Sequence, residues 1–297
     1  MQNGIHFISG LPRSGSTLLA AILRQNPRFH AMMTSPVGGL YLAMLSAVSR
    51  KNEGAVFIDD EQKRDLLAGV FENYYRRIAA EKLVFDTNRI WCSKMPHLVR
   101  LFPHAKVICC VRSIGWIMDS IERREREHAF ELSGIFGYDA GGTVYTRVNR
   151  LAAGDGMVGY ALDALREAFY GGYPDQLMLV TYEALTRDPE GTLQIIYDFI
   201  GEPRFQHDFE NVIYEADDFD MSIGAPGLHR VRRRVEFAER PSILPPELMK
   251  RFEGDAFWTN PDLNVHGVPV VQYVLHPPAT PDSPEPTKSR RRKDVSA

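Results

Sequence analysis

Gly10-Leu11-Pro12-Arg13-Ser14-Gly15-Ser16-Thr17 is the stretch on which the fold turns. It follows an apolar run over 5–8, short enough for a buried strand. It precedes Leu18-Leu19-Ala20-Ala21-Ile22-Leu23, whose apolar residues suit a helix laid on a sheet. A strand, a glycine-bearing turn and a helix form a cradle for one anion, because the turn amides and the positive end of the helix dipole aim at the same point. Gly10 and Gly15 supply backbone angles, or a close approach, that a Cβ would block. Taken alone, the stretch also reads as an ordinary tight turn with Ser14 or Ser16 capping the helix.

Against the nucleotide-hydrolase pattern G-x-x-x-x-G-K-[ST], Gly10, Gly15 and Thr17 fit and Ser16 does not. The missing lysine is the group that reaches the β- and γ-phosphates. Here the cation is Arg13, inside the turn. Such a loop is suited to holding a phosphate and poorly equipped to transfer a γ-phosphoryl group.

Outward from this turn, strands alternate with helices. Strands are expected over 5–9, 83–86, 106–111 and 176–181. Helices are expected over 16–25, 40–45, 59–82, 96–102, 114–127 and 190–200, with one or two more within 143–172 and another over 246–252. Lys106-Val107-Ile108-Cys109-Cys110-Val111 is the central strand, being a continuous apolar run of the kind a parallel strand covered on both faces requires. Periodicity fails over 203–240, and 129–142 reads as a mobile loop. The fold expected is α/β, a three-layer α/β/α arrangement with a mostly parallel central sheet and a P-loop-like phosphate turn. Ligands of such sheets bind beyond the carboxyl ends of the strands, which brings the 10–17 turn, Asp86, Arg112 and Tyr182 to one rim.

The 297 residues, 44% hydrophobic and 25% charged, describe an ordinary globular chain, expected as a single domain over 1–276. From Pro277 on, proline, serine and charge ending in Arg290-Arg291-Arg292-Lys293 predict a disordered basic tail over 277–297. A net charge of −3 argues against general nucleic-acid binding while allowing a local basic pocket. Cys92, Cys109 and Cys110 have neither disulfide-framework nor metal-ligand spacing, so buried thiols in a reducing, cytoplasmic compartment are expected. No signal peptide, membrane span or metal site is expected.

A second constellation is Cys110-Val111-Arg112 with Ser120. Arg112 stands at the end of the central strand, and Ser120 lies about two turns into the following helix. A guanidinium and a hydroxyl so placed suit a second phosphate. By themselves they read equally as a solvated arginine and a serine on a helix face. Two phosphate sites on one sheet edge imply a ligand with phosphates at both ends of a nucleoside. The central strand ends in arginine rather than an acid, leaving Asp86 as the acid at a strand end.

With these motifs in order, the chain resembles the sulfotransferase family, which uses 3′-phosphoadenosine 5′-phosphosulfate (PAPS). Leu11-Pro12-Arg13-Ser14-Gly15-Ser16-Thr17 resembles the family's 5′-phosphosulfate loop, and Cys110-Val111-Arg112 through Ser120 its 3′-phosphate motif. Val180-Thr181-Tyr182-Glu183-Ala184-Leu185 resembles its Tyr-Glu segment, and Leu101-Phe102-Pro103-His104-Ala105-Lys106 its approach to the central strand. The similarity runs over 4–202, and the wording Pro-Arg-Ser-Gly-Ser-Thr leans toward the branch of tyrosylprotein and many bacterial sulfotransferases. The resemblance implies sulfuryl transfer from PAPS to a hydroxyl-bearing acceptor, with no metal required. It implies that Arg13, Ser14, Gly15, Ser16 and Thr17 hold the 5′-phosphosulfate, Arg112 and Ser120 the 3′-phosphate, and Tyr182 the adenine. In Leu228-His229-Arg230-Val231-Arg232-Arg233-Arg234, which resembles the family's closing loop, Arg232 is the cofactor contact chosen; a solvated charged face is the alternative.

For catalysis the expected donors are Arg13 and Lys94 of Ser93-Lys94-Met95-Pro96, which resembles the family's motif lysine and otherwise reads as a surface lysine; Asp86 is the first candidate for the base, with a salt bridge to Arg89 or Lys94 as the alternative. His97 and His30 follow it. The region matching the tyrosylprotein branch's glutamate, Met32-Met33-Thr34-Ser35-Pro36, carries no acid, and Pro96 stands where the cytosolic enzymes have histidine. Two other readings remain: a P-loop nucleotide kinase, and a degenerate nucleotide-binding protein without activity. The acceptor (small alcohol or phenol, sugar or peptide tyrosine) and the oligomeric state are not legible in the sequence.

Overall fold

The computed structural model describes residues 4–50 and 52–273. The expected tail over 277–297 lies outside them. The chain enters strand β1 (Ile5–Gly10), turns into α1 (Ser16–Leu23), and adds a short edge strand β2 (Phe29–Ala31). Helices α2 (Val37–Ala47) and α3 (Asp60–Tyr75) lead to β3 (Leu83–Thr87), followed by α4 (Met95–Leu101) and β4 (Val107–Val111). Then come α5 (Ile114–Glu127), α6 (Val144–Ala152), α7 (Met157–Phe169), β5 (Leu177–Thr181), α8 (Tyr182–Arg187) and α9 (Pro189–Ile200). Two short helices, α10 (Asp217–Ser222) and α11 (Pro246–Arg251), precede β6 (Val270–Val271).

The six strands form one sheet in the order β2-β3-β1-β4-β5-β6, and every pairing is parallel. Parallel neighbours require crossovers, and the helices that make them cover both faces. Side chains alternate accordingly. Phe7, Val107, Cys109, Val111 and Leu179 enter a core roofed by α2 to α7 and α11. Ile8, Phe85, Ile108, Cys110 and Val180 enter the core under α1, α8 and α9. The three-layer α/β/α expectation therefore holds. Among the described residues no helix is long and apolar enough to cross a membrane.

Local differences from the sequence reading have physical reasons. The helix expected over 59–82 opens on an Asp59–Gln62 capping box but stops at Tyr75. Residues 76–82 make turn-type bonds (Ile78 N–H to Tyr75 O, 2.9 Å) that deliver Leu83 to its place beside Phe29. The edge strands β2 and β6 have three and two residues. A run that short displays no period, and its pairing with β3 or β5 makes it a strand.

At the end of β1 the sheet forces a glycine. Gly10 pairs with Cys110 at φ 106°, and a Cβ there would lie 2.2 Å from the Cys110 carbonyl oxygen. Gly10→Ala is expected to cost on the order of 2–4 kcal/mol, read as a fall in the denaturation midpoint. A second expectation concerns acid. His6 of β1 is buried, and its Nδ1 accepts from the Lys106 amide (3.0 Å). Burial, then the nearby Lys106 charge, push its pKa from 6.5 down to about 4. The unfolded chain therefore takes up a proton that the native state refuses, and His6's contribution, about 3 kcal/mol, is lost as pH falls from 6.5 toward 4. Urea unfolding across that window should show a smaller pH slope in His6→Gln than in the wild type.

Candidate active site

The 10–17 turn is built by three constraints. Ser14 Oγ donates within the turn, to the carbonyls of Leu11 (2.5 Å) and Cys110 (2.8 Å), and Leu11 N–H also reaches Cys110 O (2.9 Å). Arg13 and Gly15 take positive φ (55° and 102°), which folds the turn back over the strand ends. Gly15 then serves as the N-cap of α1, and no side chain caps that helix. This corrects the alternative of a Ser14 or Ser16 cap, since Ser14 is committed to carbonyls in the turn. The helix thus presents uncapped amides at its positive end, without an acid in its first turn.

A cavity of about 590 Å³ opens at the carboxyl ends of β1, β3 and β4, bordered by the turn, Thr87, Asn88, Arg89, Arg112, Ser120, Tyr182 and the 228–236 segment. Seven arginines border it against one acid, Glu236, among the described residues. The local field is strongly positive in a chain of net charge −3.

Arg13 and Ser120 meet directly, Nε donating to Oγ at 3.1 Å, and Arg13 also donates to the Leu228 carbonyl. Loss of water, reinforced by Arg124 and Arg112, pulls the Arg13 pKa down to about 10, which still leaves it charged at neutral pH. Arg112 lies with its guanidinium carbon 4.0 Å from the Tyr182 ring centroid. Its Nε is buried with no hydrogen-bond partner among the described residues, as is Thr87 Oγ1. Behind Ser120, buried Asp119 accepts from Arg123 (3.0 Å), Arg240 (2.7 Å) and the Ile243 amide (2.7 Å), tying α5 to the 240–243 segment. The Tyr182 ring also packs on Gly15, where an added Cβ would meet it at 3.3 Å.

These observations bear on whether a doubly phosphorylated nucleotide suits the residues present. The buried Arg112 Nε and the uncapped amides of α1 are donors awaiting acceptors, and two anions on one ligand fit both. The structure brings Arg13, Gly15, Ser16, Thr17, Arg112, Ser120, Tyr182 and Arg232 to one cavity. Ser14 lies just beneath it.

The four remaining sequence candidates lie elsewhere. Asp86 is fully buried, accepting from Ser35 Oγ (2.6 Å), Tyr75 OH (2.6 Å) and Trp91 Nε1 (2.7 Å). Its side chain lies on the face of β3 covered by α3, against Tyr75 and Trp91, while Thr87 falls on the opposite phase and borders the cavity. Lys94 ends a 3-10 turn over Arg89–Lys94 and does not border the cavity. His97 Nδ1 pairs with Tyr41 OH (2.6 Å), and His30 packs edge-on to Tyr75; neither borders the cavity. Of the expected catalytic groups, Arg13 borders the cavity, and Asp86 and Lys94 do not.

Arg89, Thr87 and His229 also border the cavity without a motif to mark them. Arg89 stands two positions beyond β3 and was reachable by the strand-end rule that found Arg112. Thr87, the last residue of β3, was reachable the same way. His229 is legible in the chain only as part of a basic cluster. Its Nδ1 lies 2.5 Å from Asp220 Oδ1, and its amide donates to Asp220 Oδ2 (2.9 Å). No periodicity marks that pair.

Comparison with known proteins agrees with this geometry. Residues 6–207 match the family model described as "Sulfotransferase family". Protein-tyrosine sulfotransferase 1 of Danio rerio is 25% identical over 245 residues, 79% of this chain and 62% of that protein. The chain thus spans less than two thirds of that relative's length. Among solved structures, the sulfotransferase domain of the Synechococcus PCC 7002 olefin synthase is 20% identical with a TM-score of 0.47, covering 84% of this chain and 94% of that one. Sulfotransferase STF9 from Mycobacterium avium is 15% identical with a TM-score of 0.49, covering 88% and 78%. A family match that takes in β1 to β5, the 10–17 turn and the β4–α5 junction leaves one conclusion: this chain belongs to the sulfotransferase family.

Proposed function

We propose that the protein transfers a sulfuryl group from PAPS to a hydroxyl-bearing acceptor, within the cavity at the carboxyl ends of β1, β3 and β4. The observation that carries this reading is the buried, unpartnered Nε of Arg112, which borders the same cavity as an uncapped helix end. One anion at each place accounts for both, and family membership supplies the cofactor class.

In this reading Arg13 and the amides of residues 14–17, with the Ser16 and Thr17 hydroxyls, hold the 5′-phosphosulfate. Arg112 and Ser120 hold the 3′-phosphate. Tyr182, stacked on Arg112, offers its ring to the adenine, and Arg232 closes from the 228–236 segment. The bound cofactor supplies the sulfuryl group and a nucleotide phosphate as leaving group. The chain's own contribution is to fix the donor, to place Arg13 and the turn amides where charge develops, and to cover the cavity. Asp86 and Lys94 border no part of the cavity and have no contact with reacting atoms in this reading. The acceptor class stays broad: phenols, sugars and peptide tyrosine all present the required hydroxyl. The kinase alternative lacks its lysine at Ser16.

Calorimetric titration of adenosine 3′,5′-bisphosphate into the wild type should show micromolar or tighter binding without added metal. Arg112→Ala should weaken it by about 10- to 100-fold, the loss of a charge-assisted phosphate contact. Absence of binding to the wild type, or stronger Mg²⁺-dependent binding of ATP, would overturn the reading.

A further inference from the structure

The site described so far has donors for the leaving group, and its one acid, Glu236, is half-exposed beside Arg234. Asp86, His97 and His30 do not border the cavity. One proton acceptor borders it in a defined setting. His229 sits on the 224–229 reversal, which turns through the positive φ of Gly224 and Gly227 and brings the imidazole back against α10. The reversal is closed by Ala225 N–H to Asp220 O (2.9 Å) and Gly134 N–H to Gly224 O (3.1 Å). Asp220 is almost completely buried, and both its carboxylate oxygens engage His229, one at the ring Nδ1 and one at the backbone amide.

That double contact sets the chemistry of the ring. A carboxylate accepts only, so the proton of the neutral imidazole lies on Nδ1, and Nε2 carries the lone pair. Nε2 has no hydrogen-bond partner among the described residues. The groups whose charges act on the ring are Asp220 from α10, Arg13 from the turn and Arg89 from beyond β3; the Phe219 ring lies edge-on at 5.6 Å. Burial lowers the His229 pKa, and Arg13 and Arg89 lower it further against the pull of Asp220, so the ring is neutral at pH 7 and ready to accept a proton.

Resting on the sulfotransfer reading above, we propose that His229 is the general base of the reaction and that Asp220 is its positioning residue. His229 Nε2 takes the acceptor's hydroxyl proton as the acceptor oxygen bonds to sulfur. The bond from sulfur to the 5′-phosphate oxygen breaks, and that oxygen keeps the electron pair. The imidazolium, held against Asp220, then releases its proton to solvent, so the products are sulfate ester, adenosine 3′,5′-bisphosphate and one proton. Asp220 prevents the ring from flipping and stabilises the transient charge, as a buried carboxylate does for an imidazole elsewhere.

The test uses full-length wild type, His229→Gln and Asp220→Asn. Three readouts apply: calorimetry with adenosine 3′,5′-bisphosphate, turnover of labelled PAPS on p-nitrophenol, 2-naphthol, a tyrosyl peptide and monosaccharides, and nitrogen NMR of labelled histidine. His229→Gln should lower kcat by about 10²–10⁴-fold while leaving nucleotide affinity within about threefold. Asp220→Asn should lower kcat less and move the acid limb of the kcat/KM profile to lower pH, because the pull that raises the imidazole pKa is gone. In the wild type that limb should titrate below pH 6.5, and NMR at pH 7.5 should find His229 neutral with its proton on Nδ1. If His229→Gln binds no nucleotide, the wild-type tautomer and the Asp220→Asn profile decide. A protonated ring or a proton on Nε2 at pH 7.5 overturns the assignment. So does His229→Gln turnover within threefold of the wild type, which leaves the cofactor reading standing. Wild type that binds no nucleotide overturns the cofactor reading itself; wild type that binds it but turns over no acceptor overturns the base with the activity.

Discussion

Everything in the site depends on the close approach of β1 and β4 at Gly10 and Cys110. The Cys110 carbonyl receives both the Leu11 amide and the Ser14 hydroxyl, so the turn is anchored to the central strand at two points. Only a residue without a Cβ permits the contact. From this anchor the chain reverses through Arg13 and Gly15 and starts α1 directly over the strand ends. The next strand residue after Cys110 is Val111, and Arg112 follows it, so the same anchor fixes the spacing between the two cationic groups.

The cavity is costly for a protein to maintain without a ligand. It gathers arginines where burial and mutual repulsion oppose their charges, and it leaves Arg112 Nε unpaired. Neighbouring structure offsets part of that cost. Asp119, wholly inside the protein, collects Arg123 and Arg240 beneath Ser120, and the Tyr182 ring lies against Arg112. An unpaired buried donor in such a place is a feature of a binding site rather than of a core.

Asp86 and Asp220 show how environment separates two similar residues. Both are buried carboxylates. Asp86 holds Ser35, Tyr75 and Trp91 together, and burial raises its pKa against those three hydrogen bonds. It fastens the 33–36 segment, which reaches the cavity at Met33 and Thr34, to the sheet. Asp220 instead faces a single imidazole at the cavity border. One organises the wall and the other holds a histidine that borders the cavity.

The sequence by itself determined the local elements and most of the cationic and turn groups that border the cavity. The 10–17 turn, the apolar β4 run and the 114–127 helix are legible because a strand covered on both faces must be apolar throughout, a helix repeats every 3.6 residues, and a tight turn needs glycine. Arg112 and Tyr182 are legible as strand-end residues. Tertiary structure alone decided the rest. The edge strands β2 and β6 exist only through their partners. Asp86 and Thr87 look equally available in the chain, but strand alternation puts Asp86 on the face under α3 and Thr87 at the cavity. The Asp220–His229 pair joins residues of an aperiodic segment, and their relation to Arg13, more than 200 positions earlier, follows from the 224–229 reversal being folded over the sheet edge. Such contacts depend on distances in space, which separation along the chain does not encode.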